Sequence, residues 1–458
     1  MTLLLLLCSL TAYAQRDSLR FARQGILLRS MPYLTNPFSS SGPQCLRLNV
    51  NASVQVSAES DFYYQSTAIC IPFAQKLAGN AFIGTHDKAL VEQRLRAVNP
   101  LTFGYNNEVQ VSWTGMRDSA WLPHTRFTLA IKQRMLGASA FTKDAFNLAF
   151  YGNAMYAGAT ATLSGSRFQQ ISFRQLLFGI QQHLGLRLGQ LDAAVSVLDG
   201  MAAADMTLPT GTLYTETYGE YLDLNYNLKG HYTGSGSNPV KGMGAALDLG
   251  YTGTWKRNLF RFFIKDLGLI AWNNQSTGFD ASQSLHYEGV QAGNLLEQAG
   301  NGFAPVTGDS VLHYLGVQKQ TGSFQTWLPA RIGGMLRLYL NGNRHRDVPE
   351  QKPNGYSFLD VLISYRYHTD RLPWVSVQWE KRLFCGSGLK SYTWLDGWIM
   401  PTLSYGGAGN LDAGLFFALR NFKGFECSLG SGTIQALVLQ KQSTSAAAFL
   451  RLSLPLSK

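Results

Sequence analysis

The chain has 458 residues and a formal net charge of +11, yet only 15% of its residues are charged, while 12% are aromatic and 46 are glycine. So low a charged fraction, against roughly 25% in ordinary soluble proteins, suits strands that meet lipid on one face and water on the other; a large soluble β-sandwich or propeller is the plainer alternative. The basic balance does not point to nucleic acid, because Lys and Arg are scattered singly and the densest run, Arg344-His345-Arg346, sits in a polar stretch that reads as a loop.

Residues 2–13 are almost wholly apolar and end in Ala12-Tyr13-Ala14 before Gln15. A short apolar core followed by small-x-small is the pattern of a secretory signal peptide, so residues 1–14 are read as a leader and 15–458 as the mature chain. No Lys or Arg follows Met1, which departs from that pattern. After Gln15 no run of 18 apolar residues occurs, so no transmembrane helix is expected. Five cysteines stand at 8, 45, 70, 385 and 427, with no CxxC and no zinc spacing. The four beyond the leader leave two readings open, two disulfides or four separate thiols.

The first regular segment, 87–98, places Leu90, Val91, Leu95 and Val98 at helical spacing, with Thr85 or Asp87 to cap its start and Pro100 beyond its end. The period then changes to two. Leu101, Phe103, Tyr105, Val109, Val111 and Trp113 share one strand face, and Thr102, Gly104, Asn106, Glu108, Gln110 and Ser112 the other. A strand of that length matches the roughly 9–11 residues needed to cross a bilayer at a tilt; globular strands are nearer roughly 5–6. Weaker alternation at 126–135 leads into a second helix at 142–151, where Phe141, Ala145, Leu148 and Ala149 share a face and Gly152-Asn153 provides the stop.

Further strands are read at 171–182, 186–197, 214–228, 243–255, 259–271, 328–340, 359–367, 374–383, 398–406, 411–419, 425–440 and 446–454. The apolar row of 243–255 is Met243, Ala245, Leu247, Leu249, Tyr251 and Trp255. That of 328–340 is Leu328, Ala330, Ile332, Leu336, Leu338 and Leu340. The stretches 228–242, 272–325 and 341–356 are polar and read as long loops. Trp113, Tyr251, Trp255, Tyr339, Tyr365 and Tyr367 end apolar rows, as in the aromatic girdles of membrane barrels. The expected fold is all-β, a single-chain antiparallel transmembrane β-barrel of about fourteen strands. The helices near 87–98 and 142–151 carry too many charges to lie in hydrocarbon. They are expected in the lumen or at its mouth, meeting Arg126, Lys132, Arg337, Arg366 and Glu380. Short helical turns at the barrel's end are the alternative.

No HExxH, GxSxG, Walker or dinucleotide motif occurs, and the eight His form no close pair. No catalytic, cofactor-binding or metal-binding residue is therefore named, no cofactor is expected, and the chain is not read as an enzyme. Asp266, Asp360 and Glu380 fall in strands, where they are expected to line a wet lumen opposite Arg or Lys.

The blocks FNLAFYGNAMYAGATATLSGSRFQQISFRQLLFGI (146–180), GAALDLGYTGTW (244–255), IKDLGLIAWN (264–273) and LHYEGV (285–290), with AFIGTHDKALVEQRLRAVN (81–99), carry a resemblance. From about residue 30 onward the chain resembles an uncharacterised family of Bacteroidota outer-membrane barrels, domain of unknown function 5723. More distantly it is similar to the long-chain fatty-acid transporter type of barrel and to the barrel partners of type IX secretion. The family brings no assigned activity and no functional residue. The resemblance implies an outer-membrane location, with the bilayer and the barrel-assembly machinery as partners. Many such barrels end in an aromatic residue; this chain ends Leu454-Pro455-Leu456-Ser457-Lys458.

Three functions are open at this stage. A plugged barrel would pass or capture a small apolar molecule. A non-transporting scaffold would serve type IX secretion or surface-protein export, with exported proteins as partners. A soluble secreted β-protein would bind carbohydrate. Nucleic acid is not an expected partner.

Overall fold

Antiparallel strands joined by short connections satisfy one another's backbone groups with little loop, so a chain of alternating segments pairs in sequence order. The computed structural model describes residues 54–114, 125–185, 189–234, 240–255, 258–288, 318–340, 357–384, 395–421, 425–439 and 442–457. Among them are β1 (Val54–Ser66), α1 (Ile71–Ala78), α2 (Thr85–Glu92), β2 (Val98–Thr114), β3 (Thr125–Thr142), α3 (Lys143–Tyr151), β4 (Ala159–Thr162), β5 (Ser166–Gly185), β6 (Gly189–Thr215) and β7 (Leu222–Tyr232). There follow β8 (Gly242–Trp255), β9 (Asn258–Trp272), β10 (Thr277–Tyr287), β11 (Gln318–Thr321), β12 (Phe324–Trp327), β13 (Arg331–Tyr339) and β14 (Ser357–Arg366). The chain continues through β15 (Leu372–Phe384), β16 (Leu395–Gly407), β17 (Leu411–Asn421), β18 (Glu426–Ser431), α4 (Gln435–Val438) and β19 (Ser445–Ser457).

Fourteen strands form a closed antiparallel barrel: all except β4, β7, β10, β11 and β12. Closure is made by β1, which pairs with both β2 and β19, so that Ala58 stands opposite Val109 and Leu452. With two partners for every barrel strand, no strand is left as an open edge of the barrel. The rim where β1 begins and β19 ends is called the near rim. The opposite, far rim carries the four helices and the five remaining strands.

The faces follow the alternation. In β2, Thr102, Asn106, Glu108, Gln110 and Ser112 are buried inside, while Val109 is 55% exposed outside. In β8, Leu249 points out and Asp248 in; in β13, Ile332 points out and Arg337 in. Outside, Ile131, Val195, Val197, Ile363, Leu403 and Leu450 make an apolar belt. Trp255 borders it at the near rim, and Trp327, Tyr367 and Tyr405 at the far rim.

One stretch of wall rises beyond the belt. β6 runs for 27 residues. Its first half, from Gln190 to Gly200, faces β8; its second half, from Ala204 to Thr215, faces β7. β7 pairs with β10, and β10 with β11, which makes a polar sheet standing off the far rim. β9 changes partner in the same region, from β13 to β12. The change is made at a bulge where Asp266 takes φ 59° and its N–H donates to Asp248 Oδ1 at 2.7 Å. Above the bulge, the Trp272 ring lies so close to Gly200 and Gly242 that a Cβ on either would sit 2.6 or 2.7 Å from it.

Several sequence expectations change. Strands β1 and β10 are not among the expected ones, and the supposed loop 272–325 holds β10, β11 and the start of β12. The segment 214–228 divides between the end of β6 and β7, which continues into the supposed loop 228–242. The segment 425–440 is a six-residue strand followed by a helical turn. The strand expected from 328 begins at Arg331; Leu328 turns inward, 2% exposed, into an apolar cluster. The helix expected at 87–98 spans 85–92, because Val98 pairs with Thr142 as the first residue of β2. That expected at 142–151 spans 143–151, with Thr142 as its cap: Thr142 Oγ1 accepts the Ala145 N–H at 3.0 Å. Cys70 and Cys427 are free thiols. The leader 1–14 and the loop 341–356 lie outside the described residues.

Candidate functional site: the lumen and the far rim

A charge on an inward strand face is taken from water and must find a partner inside. Much of the barrel interior meets this demand, although the Arg451 guanidinium makes no hydrogen bond and has Glu59 only at 3.8 Å. Arg337 on β13 donates to both oxygens of Asp360 on β14, each at 2.7 Å, and at 3.1 Å to Glu380 on β15. Lys132 pairs with Glu108 at 3.1 Å, and Arg261 with Asp192 at 3.1 Å. Arg261 and Asp192 already bridge over β8, and two longer contacts reach across three or more intervening strands. Arg134 on β3 holds both oxygens of Asp266 on β9, the longer bond at 2.9 Å, and Arg366 on β14 donates to the Tyr63 hydroxyl on β1 at 3.0 Å. Arg134, Arg337, Lys132 and Arg451 are each 1–2% exposed, so these side chains stand where water would run through an open pore.

Towards the far rim the interior turns apolar. Leu136, Ile171, Phe173, Leu198, Ile270 and Trp272 pack there with Leu328, and Phe324 closes over them. Trp272 Nε1 donates to Thr326 Oγ1 at 2.9 Å and its ring stacks on Phe324. The segment joining β12 to β13 thus drops a leucine into the mouth of the barrel. The Phe173 ring also lies against the Arg134 guanidinium, at 5.3 Å, where the apolar and charged layers meet.

The helices lie at the far rim against the outer side of the wall, and not in the lumen where they were expected. Their apolar sides pack on one another around Phe73, Val91 and Phe146, and on Leu101 and Phe141 of the barrel's outward-facing rows. The Tyr64 hydroxyl, also outward, donates to the Ile69 carbonyl at 3.1 Å. Their charges are satisfied within the layer: Lys76 with Asp87 at 2.6 Å, Lys88 with the Phe150 carbonyl at 2.6 Å, and Glu92 with the Tyr151 hydroxyl at 3.1 Å. The expected pairing of helix charges with Arg126, Lys132, Arg337, Arg366 and Glu380 gives way to pairing inside the barrel. The reason is reach: guanidinium and ammonium groups on long stems meet carboxylates across the lumen and fill a width that a helix had been expected to fill. The Lys76 partnership, with help from the Gly84 N–H, holds the Asp87 carboxyl below its ordinary range.

The far rim also carries two cavities. One, of about 340 Å³, lies on the raised sheet against Thr212, Asn225, Tyr226 and Ser284. The other, of about 590 Å³, lies between the loop after α2 and the β16–β17 and β18–β19 connections. On the raised sheet His286 Nδ1 stands 2.5 Å from Asp223 Oδ1 and Nε2 stands 3.2 Å from Glu288 Oε1. These two carboxylates, Asp223 first, hold the imidazole above its ordinary pKa. No cluster of three His, Cys, Asp or Glu fit for a metal occurs among the described residues. Of the sequence-predicted lumen residues, Asp266, Asp360 and Glu380 all face inward against arginine. Sequence reading did not find Arg134, Asp192, Arg261 or the Trp272 cluster.

The sequence matches, over residues 50–384, a family described as a family of unknown function (DUF5723). No curated protein matches it. Among solved structures, the translocator domain of autotransporter NalP from Neisseria meningitidis is similar with a TM-score of 0.31 and 8% identity, covering 98% of this chain and 96% of that one. A deletion mutant of the monoaromatic hydrocarbon channel TodX gives 0.37 and 9%, covering 88% and 89%. CdiB from Acinetobacter baumannii gives 0.25 and 8%, covering 88% of this chain and 60% of that one.

Proposed function

We propose that this chain, which belongs to the family of unknown function DUF5723, is an outer-membrane barrel with a shut lumen that serves as a scaffold, displaying its far-rim module to other molecules. The observation that carries the reading is the occlusion of the lumen by its own side chains. A diffusion pore keeps water along its axis; here the Arg134–Asp266 and Arg366–Tyr63 contacts join strands set apart by three and five others. The apolar belt between two borders of rings supports a place in a bilayer. Its partners under this reading are the outer-membrane lipids, the machinery that inserts barrels, and an exported protein held at the far rim. Reconstituted in planar bilayers, the full chain is expected to show no steady conductance, and in cell fractionation to travel with outer membranes. A large ohmic conductance, or recovery in the soluble periplasmic fraction, would overturn the proposal.

A second reading has one observation in its favour. The interior cluster around Phe173, Ile270 and Trp272 is an apolar constriction directly beneath the mouth, the lining that capture of a small apolar molecule would require. Because Trp272 sits in it, titration with toluene or a fatty acid is expected to change tryptophan emission saturably if this reading holds. An unchanged spectrum would leave the scaffold reading alone.

A further inference from the structure

The larger far-rim cavity is lined by residues from four separate connections. Thr67 follows β1, Arg94 and Arg96 follow α2, Asn410 turns β16 into β17, and Gln442 and Thr444 lead into β19. Gln93 and Leu95 complete the lining, and all of it except Leu95 carries hydrogen-bonding groups. Neither arginine has a carboxylate partner among the described residues. Arg96 donates to the Asn410 amide oxygen at 3.3 Å, and Asn410 donates to the Thr67 carbonyl at 3.3 Å, which ties three of the connections together. Two polar groups remain without a hydrogen-bond partner though shielded from solvent: Arg94 Nη1 and the hydroxyl of Thr67, a residue 5% exposed. Orphaned donors of that kind are costly unless something fills them. The nearby acids are committed elsewhere. Glu92 accepts from Tyr151 at 3.1 Å, and Asp412 accepts from Ser445 at 2.5 Å and from Gln65 at 3.4 Å.

We propose that this cavity binds a phosphate monoester carried on a polar body such as a sugar. Two guanidiniums without a carboxylate partner among the described residues match a dianionic oxyanion, which accepts several charge-assisted bonds at once. The Thr67 hydroxyl and the Asn410 and Gln442 amides add uncharged contacts suited to a hydroxyl-rich body. About 590 Å³ leaves room for that body beside the phosphate. The inference is independent of whether the barrel conducts. The same chemistry has two sources, a free sugar phosphate and a lipid headgroup seated at the rim, and the test separates them.

The test uses the full chain folded in neutral detergent. Calorimetric titration with glucose 6-phosphate is expected to saturate, and glucose alone is expected not to bind. Inorganic phosphate should displace the bound sugar phosphate. In a parallel arm the chain is mixed with phosphatidylcholine vesicles with or without phosphatidic acid. Preferential capture by the acidic vesicles with weak binding of the free sugar phosphate assigns the site to a headgroup, and the reverse pattern assigns it to a soluble ligand. Arg94→Gln and Arg96→Gln should each weaken binding by about tenfold or more, with heat-modifiable mobility confirming that the variants fold. Should a variant fail to fold, competition by inorganic phosphate but not by glucose on the unaltered chain still decides. Saturable binding by none of these probes, or binding unchanged by both substitutions, overturns the proposal.

Discussion

Arg337 lies under two opposing demands. Its strand needs an inward residue in register with Asp360, and burial forbids an unpaired charge there. Removing it as Arg337→Leu leaves Asp360 and Glu380 facing each other without their shared cation, at a cost of about 3–5 kcal/mol. Adding Asp360→Asn and Glu380→Gln is expected to restore part of that loss, since the two carboxylate charges that Arg337 met are then gone. Leu338→Arg differs in kind. It sets a charge on the outward face, costing about 2–4 kcal/mol near mid-bilayer, and the same two neutralising changes should not rescue it. Urea unfolding in lipid vesicles, followed by heat-modifiable mobility, reads both cases. Rescue of Leu338→Arg by the inner changes would mean that the faces of β13 are interchanged, because a slip of one residue exchanges every side chain in a strand.

Strands with one face in the apolar belt show themselves in sequence. β2 and β8, whose outward rows are those read from the sequence, alternate because one row forms the apolar outer belt and the other faces the filled lumen, and β14 and β17 alternate in the same way. β1 hides because its outward row includes Ala58 and Ser60, which lowers the contrast. β10 and β11 hide because they stand beyond the belt with water on most of their surface, so TGFDASQSLHY and QKQT carry no period-two signal. The eight-residue α1 has Pro72 in its first turn and is too short to show a periodicity. The far-rim cavity is beyond local reading altogether, since Thr67 and Asn410 meet through folding and not through spacing. The raised sheet supplies its own prediction. The His286–Asp223 pair links β10 to β7, where the two residues are register partners. Its folded pKa is raised, so the contribution is full below the ordinary imidazole value of about 6.5 and is lost as pH rises through the folded value. Amide exchange in residues 282–287 should therefore quicken as pH climbs past that point, once corrected for the intrinsic rate, and His286→Gln should remove the step. A pH-independent corrected rate in the unaltered chain would show that the pair does not hold the sheet.

At the scale of the whole molecule, what decides function is which part keeps the lumen shut. A barrel of fourteen strands is wider than one that ordinary aliphatic side chains fill, and the sequence suggested that its helices would make up the difference. The geometry puts that task on the interior cations. α3 packs at the far rim on Phe73 and on the outward-facing Phe141, outside the path that Arg134 and Arg366 cross. Deleting residues 143–151 should therefore leave conductance near its starting level while loosening the helix layer, seen as faster proteolysis within 71–92. Replacing Arg134 and Arg366 together with alanine should do the opposite. It removes the two longest of the cross-lumen contacts described, leaves the Asp266 carboxylate without its arginine, and admits water to satisfy it. Planar-bilayer recordings of that double variant are expected to show cation-selective steps, because the inward wall has then lost two positive charges and kept its acids. A silent double variant together with a conducting helix deletion would return the closing role to α3 and with it the reading of a barrel plugged by its own helices.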